Sequence, residues 1–202
     1  MPGRAAIVTF DDDQPPGAVS WVDGARPATD IEMCEPDPAW PQRYEEIAAR
    51  IRQALGWRAI ALEHVGSTSV PGLAAKPVID IDLMVAEPEW EERYVPALEA
   101  IGFQLVIREP WWYGHRCLRS DDPRCNLHVF GPDSPEAVRH RILRDWLRGN
   151  PDERDLYAAA KRQAAEESNA RGEHVMEYNA RKQQVIREIY GRAFLAAGLL
   201  ED

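Results

Sequence analysis

Asp80 and Asp82 stand two apart in Val78-Ile79-Asp80-Ile81-Asp82-Leu83-Met84-Val85, a run that reads as a strand. On a strand, residues i and i+2 share a face, so both carboxylates project together while Ile79, Ile81 and Leu83 turn the other way. Phosphoryl and nucleotidyl transfer uses a divalent cation to bridge phosphate oxygens. Mg²⁺ takes one or two carboxylates and leaves its remaining positions to water and phosphate. Asp80 and Asp82 are therefore candidate ligands for Mg²⁺, with Mn²⁺ as a second candidate. Two ionised carboxylates side by side also repel, so the pair predicts a bound positive charge. Alternation by itself equally fits a solvated edge strand, and the context decides.

That context is the turn Gly66-Ser67-Thr68, with twelve residues lying between Ser67 and Asp80. A glycine there lets backbone N–H groups approach a phosphate closely, and the Ser67 and Thr68 hydroxyls stand beside it. Lys76 lies between the turn and the aspartates, placed either to meet a phosphate or to be solvated. Further along, Asn126 and His128 share a strand face, and His128 could be a metal ligand, a general base, a partner to phosphate, or an ordinary half-buried histidine. His64 ends the strand before the turn and could face the site or pack. Lys182 and Arg144 are anion-binding candidates on helices, where solvated basic residues are common. Trp111-Trp112-Tyr113 could stack a base or simply pack. His115, Cys117, Cys125 and His128 superficially suggest zinc, but Cys125 and His128 face opposite sides of a strand, which spoils a shared tetrahedron.

The elements that must position these groups follow from periodicity. Tyr44, Ile47, Ala48, Ile51 and Leu55 form an apolar stripe ending at Gly56, which predicts a first helix. Residues 58–65 and 78–85 read as strands, 87–101 as a helix closed by Gly102, 103–108 as a strand, and 127–130 as a short fourth strand. Helices follow at about 134–148, 151–168 and 174–197. Strands interleaved with helices, then helices alone, predict an α/β (α+β) fold: a small mixed sheet flanked by helices, with a helical C-terminal part. Residues 1–30 lack sustained periodicity and read as an N-terminal extension, loosely ordered unless Trp21 and Val22 pin it. Residues 31–197 read as a single domain.

Composition narrows the function classes. Of 202 residues, 45% are hydrophobic and 29% charged, the balance of a folded chain. The net charge of −10 argues against broad nucleic-acid binding. Much of it sits in the first 40 residues, which leaves an Arg-rich C-terminal half able to hold a small anion. Three cysteines are a poor disulfide framework, and no membrane segment or signal peptide is evident, so the expected location is cytoplasmic.

Gly-Ser followed at this interval by Asp-x-Asp resembles the signature of the nucleotidyltransferase superfamily. The run HVGSTSVPGLAAKPVIDIDLMV, residues 64–85, is similar to the GrpB family. So are Asp37-Pro38-Ala39-Trp40-Pro41, Leu127-His128-Val129, Leu143-Arg144-Asp145-Trp146-Leu147-Arg148, and Tyr178 with Lys182, giving coverage from Ile31 to Phe194. The resemblance implies a nucleotidyltransferase-like fold. It also implies a domain that occurs fused to dephospho-coenzyme A kinase, where folding assistance has been proposed. Polymerase-like members of the superfamily add a third carboxylate where this chain has Asn126 and His128. The GrpB family typically has His at the latter position and often a second His at the former.

Two functions result. The first is metal-dependent nucleotidyl or phosphoryl transfer between a nucleoside triphosphate and a small-molecule acceptor. Asp80, Asp82 and His128 would be catalytic, and Gly66, Ser67, Thr68, Lys76 and Lys182 would hold the nucleotide. The second is a non-catalytic module that binds a nucleotide or assists a protein partner.

Overall fold

Alternating apolar residues mark the central strands, and the sheet has one oily face and one polar face. In the computed structural model, which describes residues 2–11, 13–22 and 24–201, these strands are β1 (Ala61–Val65), β2 (Ile79–Met84), β3 (Gln104–Glu109), β4 (His115–Asp121) and β5 (Arg124–Phe130). Their spatial order is β1-β2-β5-β4-β3. Only β2 and β5 run parallel, so the sheet is mixed. Asp12 of the acidic triplet and Asp23 lie outside the described residues.

On the oily face, Ile79, Ile81, Leu83, Leu127, Val129 and Leu118 are almost fully buried. They pack against α2 (Trp40–Leu55), which contributes Ile47, Ile51 and Leu55, and against Leu98 of α3 (Val95–Glu99). Removing such surface from water is the main favourable term in folding. The polar face is covered by three C-terminal helices, α4 (Pro135–Gly149), α5 (Pro151–Ala170) and α6 (Val175–Ala196). Val70, Leu73, Leu147, Tyr157 and Ile189 form a smaller core among them. Among the described residues no helix is long and apolar enough to cross a membrane.

This is the mixed sheet flanked by helices that the order of elements predicts, with two local differences. The helix expected over 87–101 is only a single 3₁₀ turn, Glu91–Arg93, followed by the short α3. Pro96 explains the break. Inside a continuous helix it would remove a hydrogen bond and clash with the carbonyl four residues back, but it is tolerated at the start of a new helix, where it sits here. The sheet also has a fifth strand, β4, absent from the periodicity reading. Its sequence HRCLRSD buries His115, Arg116 and Ser120 beside Cys117 and Leu118, so no polar–apolar alternation marks it.

The N-terminal residues run along the open edge of the sheet. Val22 N donates to Val106 O at 3.0 Å and Arg108 N donates to Ser20 O at 2.8 Å, pairing this segment with β3. A short helix, α1 (Arg4–Val8), seats Ile7 against Tyr190 and Phe194 of α6. Its carbonyls and that of Thr9 just beyond it serve Arg139, a fully buried guanidinium whose Nη1 donates to Ala6 O, Ile7 O and Thr9 O at 2.9, 3.1 and 3.0 Å.

The turn after β1 depends on Gly66, which has φ +65° and lies so close to β2 that a Cβ would come within 2.4 Å of Asp80 Oδ2. Positive φ and the clash both require glycine. Gly66→Ala is expected to lower stability by about 1–3 kcal/mol in urea denaturation. Gly149→Ala, at a helical site with nothing within 4 Å of the added Cβ, is expected to be neutral or slightly stabilising. Equal midpoints for the two variants would show that the close approach to Asp80 is not a constraint.

Candidate functional site

Residues on the polar face of the sheet meet the inner faces of α4, α5 and α6 around a cleft of about 370 Å³, a size suited to a small-molecule site. The Gly66-Ser67-Thr68 turn, Lys76, Asp80, Asn126 and His128 line it from the sheet side, and Arg144, Lys161 and Lys182 from the helices. Residues far apart in the chain are brought together because β2 and β5 are neighbours in register, with Asp80 opposite Asn126 and Asp82 opposite His128.

Asp80 is the carboxylate that reaches the cleft, its side chain 28% exposed. Asn126 Nδ2 donates to Asp80 Oδ1 at 2.9 Å, and His128 Nε2 lies 3.9 Å from the same oxygen. Burial works to raise the Asp80 pKa. Protonated His128, the Asn126 amide and the Lys76 ammonium outweigh it, so the group is held below its ordinary value.

Three lysines approach from around Asp80. Lys161, only 2% exposed, donates from Nζ to Ala74 O at 2.6 Å and lies over the Tyr157 ring. Lys182 donates to Tyr157 Oη at 3.3 Å and lies 5.1 Å from the Tyr178 ring centroid, and Lys76 lies 5.4 Å from the same ring. Tyr157 is in turn hydrogen-bonded to Ser67, which ties α5 to the turn. Burial lowers the pKa of all three ammonium groups, that of Lys182 to about 8, and Asp80 only partly offsets it. One carboxylate facing three desolvated ammonium groups leaves positive potential in a chain whose net charge is −10.

The other expected site residues are placed differently. Asp82 is fully buried, and both its oxygens lie within hydrogen-bond distance of His140 Nδ1 on α4, at 2.9 and 3.1 Å. Thr68 lines the cleft, but its hydroxyl is engaged by His64 Nε2 at 3.1 Å. His64 faces away, stacked on Tyr44 of α2 with ring centroids 4.7 Å apart, and burial lowers its pKa to about 4. The Arg144 guanidinium is used internally, by Glu63 at 2.9 Å and His64 O at 3.0 Å. Of the aromatic run, Trp112 lines the cleft and packs edge-on to His115, while the Tyr113 hydroxyl accepts from Arg139. Cys125 lies in the oily core, apart from the other three members of the zinc-like set.

These positions test the fit of a divalent cation. His140 also lies 3.4 Å, by Nε2, from Glu136. Burial works to lower the His140 pKa, but Asp82 and Glu136 on either side raise it well above its ordinary value. The positive charge that buried Asp82 requires is therefore an imidazolium supplied by α4. Among the described residues no three His, Cys, Asp or Glu side chains are placed to hold a metal ion. The residues fit Mg²⁺ poorly.

His140, Glu136, Lys161, Tyr157 and Glu109 escaped the sequence reading, which weighed His115 only within the zinc-like set, although some left a trace. Glu136, His140 and Arg144 recur every four residues along one face of α4, and Tyr157-Lys161 and Tyr178-Lys182 repeat the same Tyr-x₃-Lys spacing on two helices.

An internal counter-ion predicts metal-independent stability. Neither Mg²⁺ nor EDTA is expected to shift the Tm of the ligand-free protein. His140→Ala, which strands the Asp82 charge, is expected to cost about 3–5 kcal/mol by chemical denaturation. A Tm that rises with Mg²⁺ and stops doing so in Asp82→Asn would instead make the aspartate pair a metal site.

The comparisons agree with this architecture. The GrpB protein family model matches residues 30–192. A UPF0157 protein of Halalkalibacterium halodurans is 46% identical over 81% of this chain and 82% of its own length, and one of Streptomyces coelicolor is 38% identical over 84% and 88%. A dephospho-CoA kinase of Mycolicibacterium paratuberculosis is 31% identical over 81% of this chain but only 46% of its own length. The crystal structure of the conserved protein GrpB from Enterococcus faecalis superposes with a TM-score of 0.71 at 31% identity, covering 83% of this chain and 99% of that one. The match extends across the β1–β2 turn, the polar sheet face and the three helices that enclose the cleft, and the chain belongs to the GrpB family.

Proposed function

We propose that the cleft binds the phosphate groups of a nucleotide-type small molecule and serves transfer of a phosphoryl or nucleotidyl group to a small acceptor. The observation that carries this reading is the ring of Lys76, Lys161 and Lys182 around Asp80. Each ammonium group is desolvated and together they lack matching negative charge, so an entering phosphate supplies what the fold does not. The Gly66-Ser67 turn faces the same space, with a backbone that admits close approach. Lys182 and Lys76 would hold phosphate oxygens, as would Ser67. Asp80 and His128 would face the reacting atoms. Because Asp82 is closed off by His140, charge neutralisation in this reading falls to the lysines rather than to a resident Mg²⁺.

A second reading, a nucleotide-binding or folding-assistance module without turnover, is favoured by that same closure of Asp82. The two separate on product formation. Each nucleoside triphosphate is titrated by calorimetry with Mg²⁺ and again with EDTA, and incubations are assayed for released phosphate or pyrophosphate in the presence of small hydroxyl and amine acceptors. Saturable binding with turnover supports the enzyme, and saturable binding alone supports the module. Absence of binding at millimolar nucleotide would remove both.

Lys182→Met is expected to weaken nucleotide binding roughly 10- to 100-fold, the loss of one charge-assisted contact of about 1.5–3 kcal/mol. The pH dependence has a defined sign. Lys182 is protonated below about 8 and loses its charge above it, so affinity in the unsubstituted chain is expected to fall as pH rises through that value. In Lys182→Met that part of the pH dependence should vanish; its persistence unchanged would assign the titration to another group.

A further inference from the structure

Glu109, His115 and His128 form a row across three neighbouring strands, ending at the cleft beside Asp80. His115 Nδ1 is 2.8 Å from Glu109 Oε2, and His115 Nε2 is 3.1 Å from His128 Nδ1. The rings are clamped. His115 stacks on His128 at 5.3 Å and on Phe130 at 4.9 Å, and Trp112 meets His115 edge-on at 5.1 Å. His115 is 3% exposed, so water does not compete for either of its nitrogens.

The positions of the protons follow from which groups can donate. A carboxylate can only accept, so the nitrogen facing Glu109, His115 Nδ1, carries the hydrogen. Burial lowers the His115 pKa to about 4, and the His115 bond helps hold Glu109 below its usual range, so the ring is neutral and the carboxyl ionised. A neutral ring has one N–H, which leaves His115 Nε2 bare. The hydrogen bond at 3.1 Å must then be donated by His128 Nδ1. In neutral His128 the remaining nitrogen, Nε2, keeps its lone pair; it lies 3.9 Å from Asp80 Oδ1, beyond hydrogen-bond distance, so the lowering of the Asp80 pKa by His128 belongs to the protonated ring.

We infer that Glu109 and His115 are positioning residues that lock His128 in its Nδ1–H form, leaving His128 Nε2 as the proton acceptor of the cleft for the O–H or N–H of an incoming acceptor molecule. The proton lost by the acceptor's oxygen or nitrogen forms the new Nε2–H bond. The resulting imidazolium is stabilised by the Asp80 carboxylate on one side and, through His115, by Glu109 on the other. No proton travels along the row, because His115 keeps its single hydrogen on Glu109. His140 also bears on His128, its ring centroid 6.0 Å away, and being cationic it opposes a second charge nearby. Asp80 and Glu109 face it from the other directions.

The acceptor role rests on the transfer reading above, whereas the tautomer does not. A test by nuclear magnetic resonance needs no ligand, so failed nucleotide binding and a failed tautomer are separate outcomes. The full chain is labelled with ¹⁵N-histidine, and long-range ¹H–¹⁵N correlations are recorded at a pH above imidazole titration. His128 is expected to show a protonated Nδ1 and a bare Nε2, the reverse of the form that free histidine prefers. His115→Phe keeps the ring stack but removes the acceptor, and is expected to move His128 toward Nε2–H. Glu109→Gln can donate to His115 Nδ1 and so reverse the row; being at a partly exposed side chain, it keeps the test open if His115→Phe does not fold. An Nε2–H form of His128 in the unsubstituted chain, or an Nδ1–H form that persists in whichever variants fold, would overturn the assignment.

Discussion

A carboxylate with no exposed surface in the middle of a β-sheet sets the terms for much of this molecule. Asp82 sits on β2 between β1 and β5, sealed from solvent, and an unpaired charge there would cost several kcal/mol. His140 answers it with an imidazolium, and Glu136, its pKa held near 2 against the pull of burial by His140 and Arg139, grips the far side of that ring. Arg139 continues the chain to the carbonyls of Ala6, Ile7 and Thr9. One buried charge thus links the sheet, α4 and the N-terminal helix, so their positions are mutually dependent.

The second aspartate is treated in the opposite way. Asp80 keeps access to the cleft, is steadied by Asn126, and is outnumbered by lysines. Two residues of the same type, two positions apart on one strand face, therefore have different environments. One carries its countercharge within the fold. The other lies in a cleft whose positive charge is unmatched. The difference arises because α4 lies over Asp82 while the cleft opens over Asp80, so desolvation is complete at one and partial at the other.

Polarity on the two sides of the sheet makes this possible. Burying Ile79, Ile81, Leu83, Leu127 and Val129 against α2 and α3 satisfies the hydrophobic demand on one side and leaves the other free to carry titratable groups. The three C-terminal helices then enclose those groups without supplying a continuous oily layer. Their inward faces bring His140 and Arg144 from α4, Tyr157 and Lys161 from α5, and Tyr178 and Lys182 from α6. A site on rigid strands and long helices is held more tightly than one on loops, which suits a constellation whose chemistry depends on which ring nitrogen carries a proton.

The sequence by itself determined the parts of this protein that depend on local periodicity and spacing. The helices at α2, α4, α5 and α6, the alternation that sets Asp80 and Asp82 on one face, the Gly66-Ser67 turn beside them and the pairing of Asn126 with His128 are all readable from residue type and interval. The C-terminal half, rich in arginine by sequence, also places its two lysines, Lys161 and Lys182, in the lining of the cleft. Tertiary structure alone decided which side chain neutralises which. That His140 meets Asp82, that His64 turns to Tyr44, that Arg144 is spent on Glu63, and that a fifth strand carries His115 to His128 all depend on contacts between segments 13 to 81 residues apart. Electrostatic pairing is set by distance and burial, and neither follows from spacing along the chain.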